Sequence, residues 1–232
     1  MPNTMLSASN MKATGRHAGL AYLAIILFSI AGYTTMSRLL AGDAPTVFGH
    51  LAANPALFGV AFAAMAIGFA AWVVLGVLLY RLMSSSGRLA GILLVIFTVV
   101  GVAMNFIALS QLLPLVSSVG AGMDAAALAP ILRSYERLLL LAQVFSGLWL
   151  FPFGWLVIRS GIAPRFLGVC LIVAGCFYLL VFATAFEPRL DQMTTYRLFS
   201  TATGIAVFAG EFGMCFWLSI KGAREPNRGR AA

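Results

Sequence analysis

A single carboxylate interrupts one of the longest apolar runs of this chain. In VFAGEFGMCFWLSIKG, residues 207 to 222, Glu211 is the only charged side chain before Lys221. Ten residues of helix separate the two, about 15 Å, which sets Glu211 near the middle of a hydrocarbon core about 30 Å thick. A charge at that depth costs at least about 2.5 kcal/mol, so an acid there faces the interior of a helical bundle and is a candidate functional group. Two roles stay open. Either Glu211 meets a ligand, or it is protonated, hydrogen-bonds to a Ser, a Trp or a backbone carbonyl, and only packs the bundle. On a regular helix its face at i−7, i−3 and i+4 carries Gly204, Phe208 and Cys215, with close approach of a neighbouring helix expected at Gly204.

Partners for Glu211 can be sought by depth. Trp149 lies ten residues before Arg159, at the same depth of about 15 Å, and its indole N–H is a donor that needs an acceptor. Asn105 and Gln143 lie 17 and 16 residues from Arg88 and Arg159, and Tyr33 lies 17 residues after Arg16. All three are therefore about 24 to 26 Å from the basic side. Spacings of seven and eleven put Glu136, Gln143 and Gly147 on one helical face. The candidate ligand-binding set is Glu211, Trp149, Gln143, Asn105 and Tyr33, with Glu211 as the floor of a polar patch and Arg38, Arg133, Glu136 and Arg137 around its mouth. For Tyr33, Asn105 and Gln143 taken singly, hydrogen bonding between helices is the other role.

Enzymatic and metal chemistry find no support in these residues. His17 and His50 are the only histidines and fall on opposite sides of the membrane, which leaves no histidine-built zinc site and no serine and histidine couple. H-E-x-x-H, G-x-S-x-G and a phosphate-binding glycine loop are all missing, and no second intramembrane acid makes an aspartyl-type pair. Cys170, Cys176 and Cys215 lie inside apolar stretches without C-x-x-C spacing and read as small buried hydrophobes. No catalytic residue, metal site or cofactor is expected.

The elements that must position the candidate residues are membrane helices. Hydrophobic residues make up 61% and charged residues 9% of the 232, far from the composition of a soluble domain. Six stretches suit spans of about 20 residues: Gly19 to Met36, Leu57 to Tyr80, Leu89 to Leu113, Leu138 to Ile158, Phe166 to Phe186 and Thr201 to Ile220. A β-barrel would show short alternating segments instead. The expected fold is all-α, a polytopic bundle of six transmembrane helices. It has a cytoplasmic segment 1–18, a membrane domain 19–220 and a basic cytoplasmic tail 221–232. Lys12 and Arg16 before an apolar run resemble a signal peptide, but the run is long, lacks an A-x-A site and precedes five more spans, so it reads as a retained anchor.

Ten Lys and Arg residues flank the spans on one side and five on the other, where Asp43, Asp124, Glu136, Glu187 and Asp191 accompany them. The positive-inside rule puts both termini in the cytoplasm, in a bacterial inner membrane. The net charge of +8 then serves topology and attraction to anionic headgroups, and a nucleic-acid partner is not expected. The expected partners are the bilayer and a lipid or small molecule; nothing in the residues fixes an oligomeric state.

Two cytoplasmic turns are alike. GVLLYRLMSSSGRLAGILLVI (76 to 96) overlies GWLVIRSGIAPRFLGVCLIVAG (154 to 175) with one residue of slippage, matching Gly76 to Gly154, Arg81 to Arg159, Arg88 to Arg165 and Gly91 to Gly168. FWLSIKGA (216 to 223) echoes the start of such a turn, and GRHAGLAYLAII (15 to 26) echoes the helix after it. The six spans thus suggest three similar hairpins, the third made by the last and first spans, although any two apolar helices around a basic turn share some likeness. Residues 114 to 137 begin with a break and become helical from about Pro130; a helix from there to Ile158 is about 43 Å long, with a kink expected at Pro152.

RHAGLAYL (16 to 23), LLYRL (78 to 82), GLWLFPFGWLVIRSGIAPRFLGVCLIVAGCFY (147 to 178) and EFGMCFWLSIKG (211 to 222) together resemble the bacterial integral membrane family known as domain of unknown function number 4386. The third piece, with its L-W-L-x-P-x-G core and P-R-x-L-G turn, is the specific part, and the likeness runs from about Arg16 to Gly222. The resemblance implies a six-span membrane protein and brings no activity. The function expected is binding or translocation of a small molecule or lipid in a cavity containing Glu211, against a structural or interaction protein without a ligand. The topology has a direct check. Cysteines placed in the 187–197 loop should label from outside and those in the 81–88 loop only after permeabilisation; external labelling of the 81–88 loop would overturn it.

Overall fold

The structure is a computed structural model that describes residues 8–118, 125–184, 205 and 207–223. All regular elements among them are helical. In chain order they are α1 (Ala8–Leu39), α2 (Ala44–Ala53), α3 (Pro55–Met83), α4 (Arg88–Ser110), α5 (Leu113–Ser118), α6 (Ala125–Leu148), α7 (Leu150–Ser160), α8 (Arg165–Thr184) and α9 (Gly213–Lys221), with a π-helical turn, Phe208–Phe212, leading into α9. Asp124, Glu187, Arg189, Asp191, Arg197, Gly204 and the basic tail from Arg224 lie outside the described residues.

Five stretches are long and apolar enough to cross a membrane: Asn10–Leu39, Pro55–Ser86, Arg88–Leu115, Ala127–Ser160 and Arg165–Ala183. Of the expected sixth span, only Ile205 and 207–220 are described, so the count of six is not exact and five complete spans are seen. Large apolar side chains such as Leu27, Val60, Val74, Val99, Val169 and Phe216 are exposed on the helices, as a lipid-facing surface requires.

The helices run longer than the apolar stretches alone indicate. α6 begins at Ala125, so Pro130 sits inside it rather than in its first turn. The fourth span does break at its second proline. Pro152 has no N–H to give the carbonyl of Leu148, and the helix is interrupted at Trp149, the junction of α6 and α7. The connection after α1 holds a short helix, α2, that the hydropathy pattern does not mark. Its N-cap is Asp43, whose carboxylate accepts from the Thr46 hydroxyl and, at 3.2 Å, from the Thr46 amide. Those bonds hold the Asp43 carboxyl below its ordinary range, which keeps a negative charge at the positive end of the helix.

Neighbouring helices close into a ring. α9 packs on α1, α1 on α3, α3 on α4, α4 on α6, α6 on α8, α8 on the π-turn and the π-turn on α9. Glycines set the approach at each seam. A Cβ on Gly154 would lie 2.5 Å from the Gly168 carbonyl oxygen, and one on Gly168 2.7 Å from the Gly154 oxygen, so α7 and α8 meet backbone to backbone. Gly147 and Gly175 make the same approach between α6 and α8, each with a would-be Cβ 2.9 Å from the other's oxygen.

The helix ends around the three basic turns share this detail. Gly91 packs on Tyr80, Gly168 on Ile158 and Gly19 on Ser219, positions that correspond, within one residue, when the basic turns are overlaid. The turns themselves meet at one end of the bundle. Gly87 lies against Trp155, Trp217 donates its indole N–H to the Ile162 carbonyl at 3.1 Å, and Gly222 lies against Lys12. Gly161 and Gly222, with φ of +69° and +70°, end α7 and α9 in left-handed conformations that other residues adopt with strain.

The backbone contact of α7 and α8 predicts that Gly154→Val overpacks the seam and lowers stability by about 1–3 kcal/mol. Gly59→Ala, in an exposed turn of α3 with nothing within 4 Å of its would-be Cβ, should leave stability unchanged or raise it. Melting curves in detergent check both, and equal melting of Gly154→Val and wild type would overturn the seam assignment.

Candidate functional site

Inside the ring lies a cavity of about 500 Å³, within the range of small-molecule sites. α1 supplies its longest wall. Tyr22, Ile25, Ile26, Ser29, Ile30 and Tyr33 line it along eleven residues of helix, about 16 Å. Gly68, Phe69 and Trp72 of α3, Asn105 of α4, Leu139, Gln143 and Ser146 of α6, Trp149, Tyr178 of α8, and Val207, Glu211 and Phe212 complete it. The five candidate residues Tyr33, Asn105, Gln143, Trp149 and Glu211 all line this one cavity. Arg38, Arg133, Glu136 and Arg137 do not line it; all four are exposed. Glu136 lies two turns before Gln143 on the same side of α6, at an exposed position.

Glu211 finds its partner on α8 rather than on the fourth span. The Tyr178 hydroxyl donates to Glu211 Oε1 at 3.2 Å. Gly147 makes room for this, since a Cβ there would lie 3.0 Å from the Cβ of Tyr178. The buried Tyr22 hydroxyl lies beside the Glu211 carboxyl as well. Among the described residues, no Lys, Arg or His lines the cavity. An acid, two tyrosine hydroxyls and aromatic rings therefore form one end of the site.

The π-turn is what aims Glu211. Its i→i+5 bonding inserts an extra residue into the helix, a feature common at functional sites. The face expected from a regular helix is lost: Phe208 is 62% exposed, while Cys215 is buried at 1% and points its thiol at the Gly19 carbonyl. Close helix approach occurs at Gly210, whose would-be Cβ lies 3.0 Å from the backbone of Cys170 and Leu171.

At the other end, the Tyr33 hydroxyl donates to Asn105 Oδ1 at 2.9 Å, and Asn105 Nδ2 donates to the Gly101 carbonyl at 2.9 Å. This pair ties α1 to α4 across the ring. Between the ends runs a chain of touching aromatic rings. Trp149 stacks on Phe153 at 5.3 Å and 21°, and meets Trp72 edge-on at 5.4 Å and Tyr22 at 6.3 Å. Trp149 thus serves as the hub of an aromatic wall. The Trp72 indole nitrogen is buried without a hydrogen-bond partner.

Tyr22, Trp72 and Tyr178 escape a search for polar residues by type because aromatic side chains pass as core. Depth would have found Tyr178, which lies thirteen residues after Arg165, about 20 Å into the bundle. All three cysteines are free, and no group of three His, Cys, Asp or Glu residues that could hold a metal exists among the described residues.

Comparison with known proteins places this bundle in a family. Residues 17–222 match the family described as "Domain of unknown function (DUF4386)". An uncharacterized protein of Archaeoglobus fulgidus is 30% identical over 146 residues, covering 59% of this chain and 84% of that protein. No solved structure matches.

The Tyr33–Asn105 bond predicts coupled substitutions. Tyr33→Phe and Asn105→Leu should each lower stability by about 0.6–2 kcal/mol, and the double variant by clearly less than the sum, because either change removes the same bond. Melting of the four proteins checks this; strict additivity would refute it.

Proposed function

We propose that this chain, which belongs to the DUF4386 family of unknown function, binds or translocates a small molecule or lipid in the cavity that contains Glu211. The observation that supports the reading is the convergence of Tyr33, Asn105, Gln143, Trp149 and Glu211, from four different parts of the bundle, on one cavity of about 500 Å³. Polar groups that served only to lock helices would meet in pairs at helix seams. Here Gln143 and the unpartnered Trp72 indole border a shared void together with the Glu211–Tyr178 pair, and a void in hydrocarbon forfeits the contacts of its lining. An occupant restores those contacts.

The protein is proposed to sit in a bacterial inner membrane with both termini cytoplasmic and the Tyr33 end of the cavity toward the outside. The charge bias supports this, as do the mutual contacts of the three basic turns at one end of the bundle. The rival reading is a structural or interaction protein without a ligand, and it draws on the mutual satisfaction of Tyr33 and Asn105.

Filling the cavity separates the two. Ser146→Phe puts a ring into the space from α6. If the cavity holds a ligand, mass spectrometry of wild type in non-ionic detergent should find a retained small molecule or lipid, and Ser146→Phe should lose it while staying folded. An empty wild type, together with a Ser146→Phe protein stabilised by the added packing, would establish the rival.

A further inference from the structure

Among the described residues, the cavity is lined by one acid and no base, with aromatic and aliphatic walls. Glu211 accepts a hydrogen bond from the Tyr178 hydroxyl, and the other polar group beside it among the described residues is the Tyr22 hydroxyl. Neither supplies positive charge. An anionic occupant would meet Glu211 with no cation to bind it. A metal ion fits no better. Calcium takes six to eight oxygen ligands, and magnesium demands near-octahedral geometry; one carboxylate and two phenols fall short of both. What this end of the cavity suits is a cation that carries its own apolar surface. Such an ion needs few hydrogen bonds, is attracted to the faces of Trp and Tyr rings, and offsets the cost of a carboxylate deep in hydrocarbon.

The rings are where such an ion would need them. Tyr22 couples to Glu211 and sits 6.3 Å, ring to ring, from Trp149, which is itself 5.4 Å from Trp72. These residues come from α1, α3 and the α6–α7 junction and line the same cavity as Glu211. The opposite end makes different demands. Tyr33 and Asn105 satisfy each other there, and the length between the ends, about 16 Å along α1, is bordered by Ile25, Ile26 and Ile30. We propose that the cavity takes an organic ammonium ion with an apolar tail, its head at Glu211 among Tyr22, Trp72 and Trp149 and its tail along α1 toward Tyr33. This deepens the binding role proposed above and rests on it.

Three probes of equal chain length test the charge preference: hexyltrimethylammonium, hexanol and hexanoate, titrated into the purified protein in lipid nanodiscs. Wild type should bind the ammonium at least about tenfold more tightly than the alcohol, with hexanoate weakest. In Glu211→Gln the preference for the ammonium over hexanol should vanish while hexanol affinity stays within about twofold, because size and hydrogen bonding are kept and only the charge is gone. Trp149→Phe should weaken the ammonium several-fold and leave hexanol nearly unchanged. If Trp149→Phe does not fold, Glu211→Gln decides alone. Equal binding of ammonium and alcohol to wild type, or a preference that survives Glu211→Gln, overturns the ammonium assignment and leaves the cavity reading standing. Failure of all three probes, with Ser146→Phe indistinguishable from wild type, overturns both.

Discussion

Apolar helices in hydrocarbon gain nothing by hiding from their solvent, so this bundle depends on how closely its backbones can approach. The seams show the device. Gly154 on Gly168 and Gly147 on Gly175 bring carbonyl oxygens within reach of the opposite glycine, a contact that any larger side chain would prop open. With the outer seams this tight, the ring of helices closes. Because the seams lie between neighbours and not at the centre, closure leaves the middle to whatever side chains point inward, and these do not fill it.

That division explains the character of the site. Some polar side chains of the cavity wall are spent on each other, as the Tyr33 and Asn105 pair is. Others keep unused capacity: the Trp72 indole belongs to the same wall and is buried without a partner. In a low-dielectric interior such groups are costly, and their presence beside a lone acid gives the cavity a definite chemical polarity.

Much of this was legible in the residues. Hydropathy located the spans because apolar runs of this length are at home in few places besides a bilayer, and basic residues located their ends. Counting helical rise from those ends singled out Tyr33, Asn105, Gln143, Trp149 and Glu211, since a polar side chain at depth has only the interior to face. Three things were not legible. The π-turn at Phe208–Phe212 alters the helical period locally, so the face drawn for Glu211 from 3.6 residues per turn placed Phe208 beside Cys215, and the two point apart. Tyr22 and Tyr178 look like core until their hydroxyls are located. Arg38, Arg133, Glu136 and Arg137 were grouped by nearness to the span ends; all four are exposed and none lines the cavity.

The seam between α1 and α9 joins the two ends of the described chain, with Gly15 against Ala223, Gly19 against Ser219 and the Cys215 thiol on the Gly19 carbonyl. During synthesis α1 leaves the ribosome before the helix that comes to flank it. Glu211 follows Tyr22, Trp72, Trp149 and Tyr178 in the chain, so a nascent chain translated through α8 holds the aromatic wall without its carboxylate. The site gains its acid only when the segment that closes on α1 has been made.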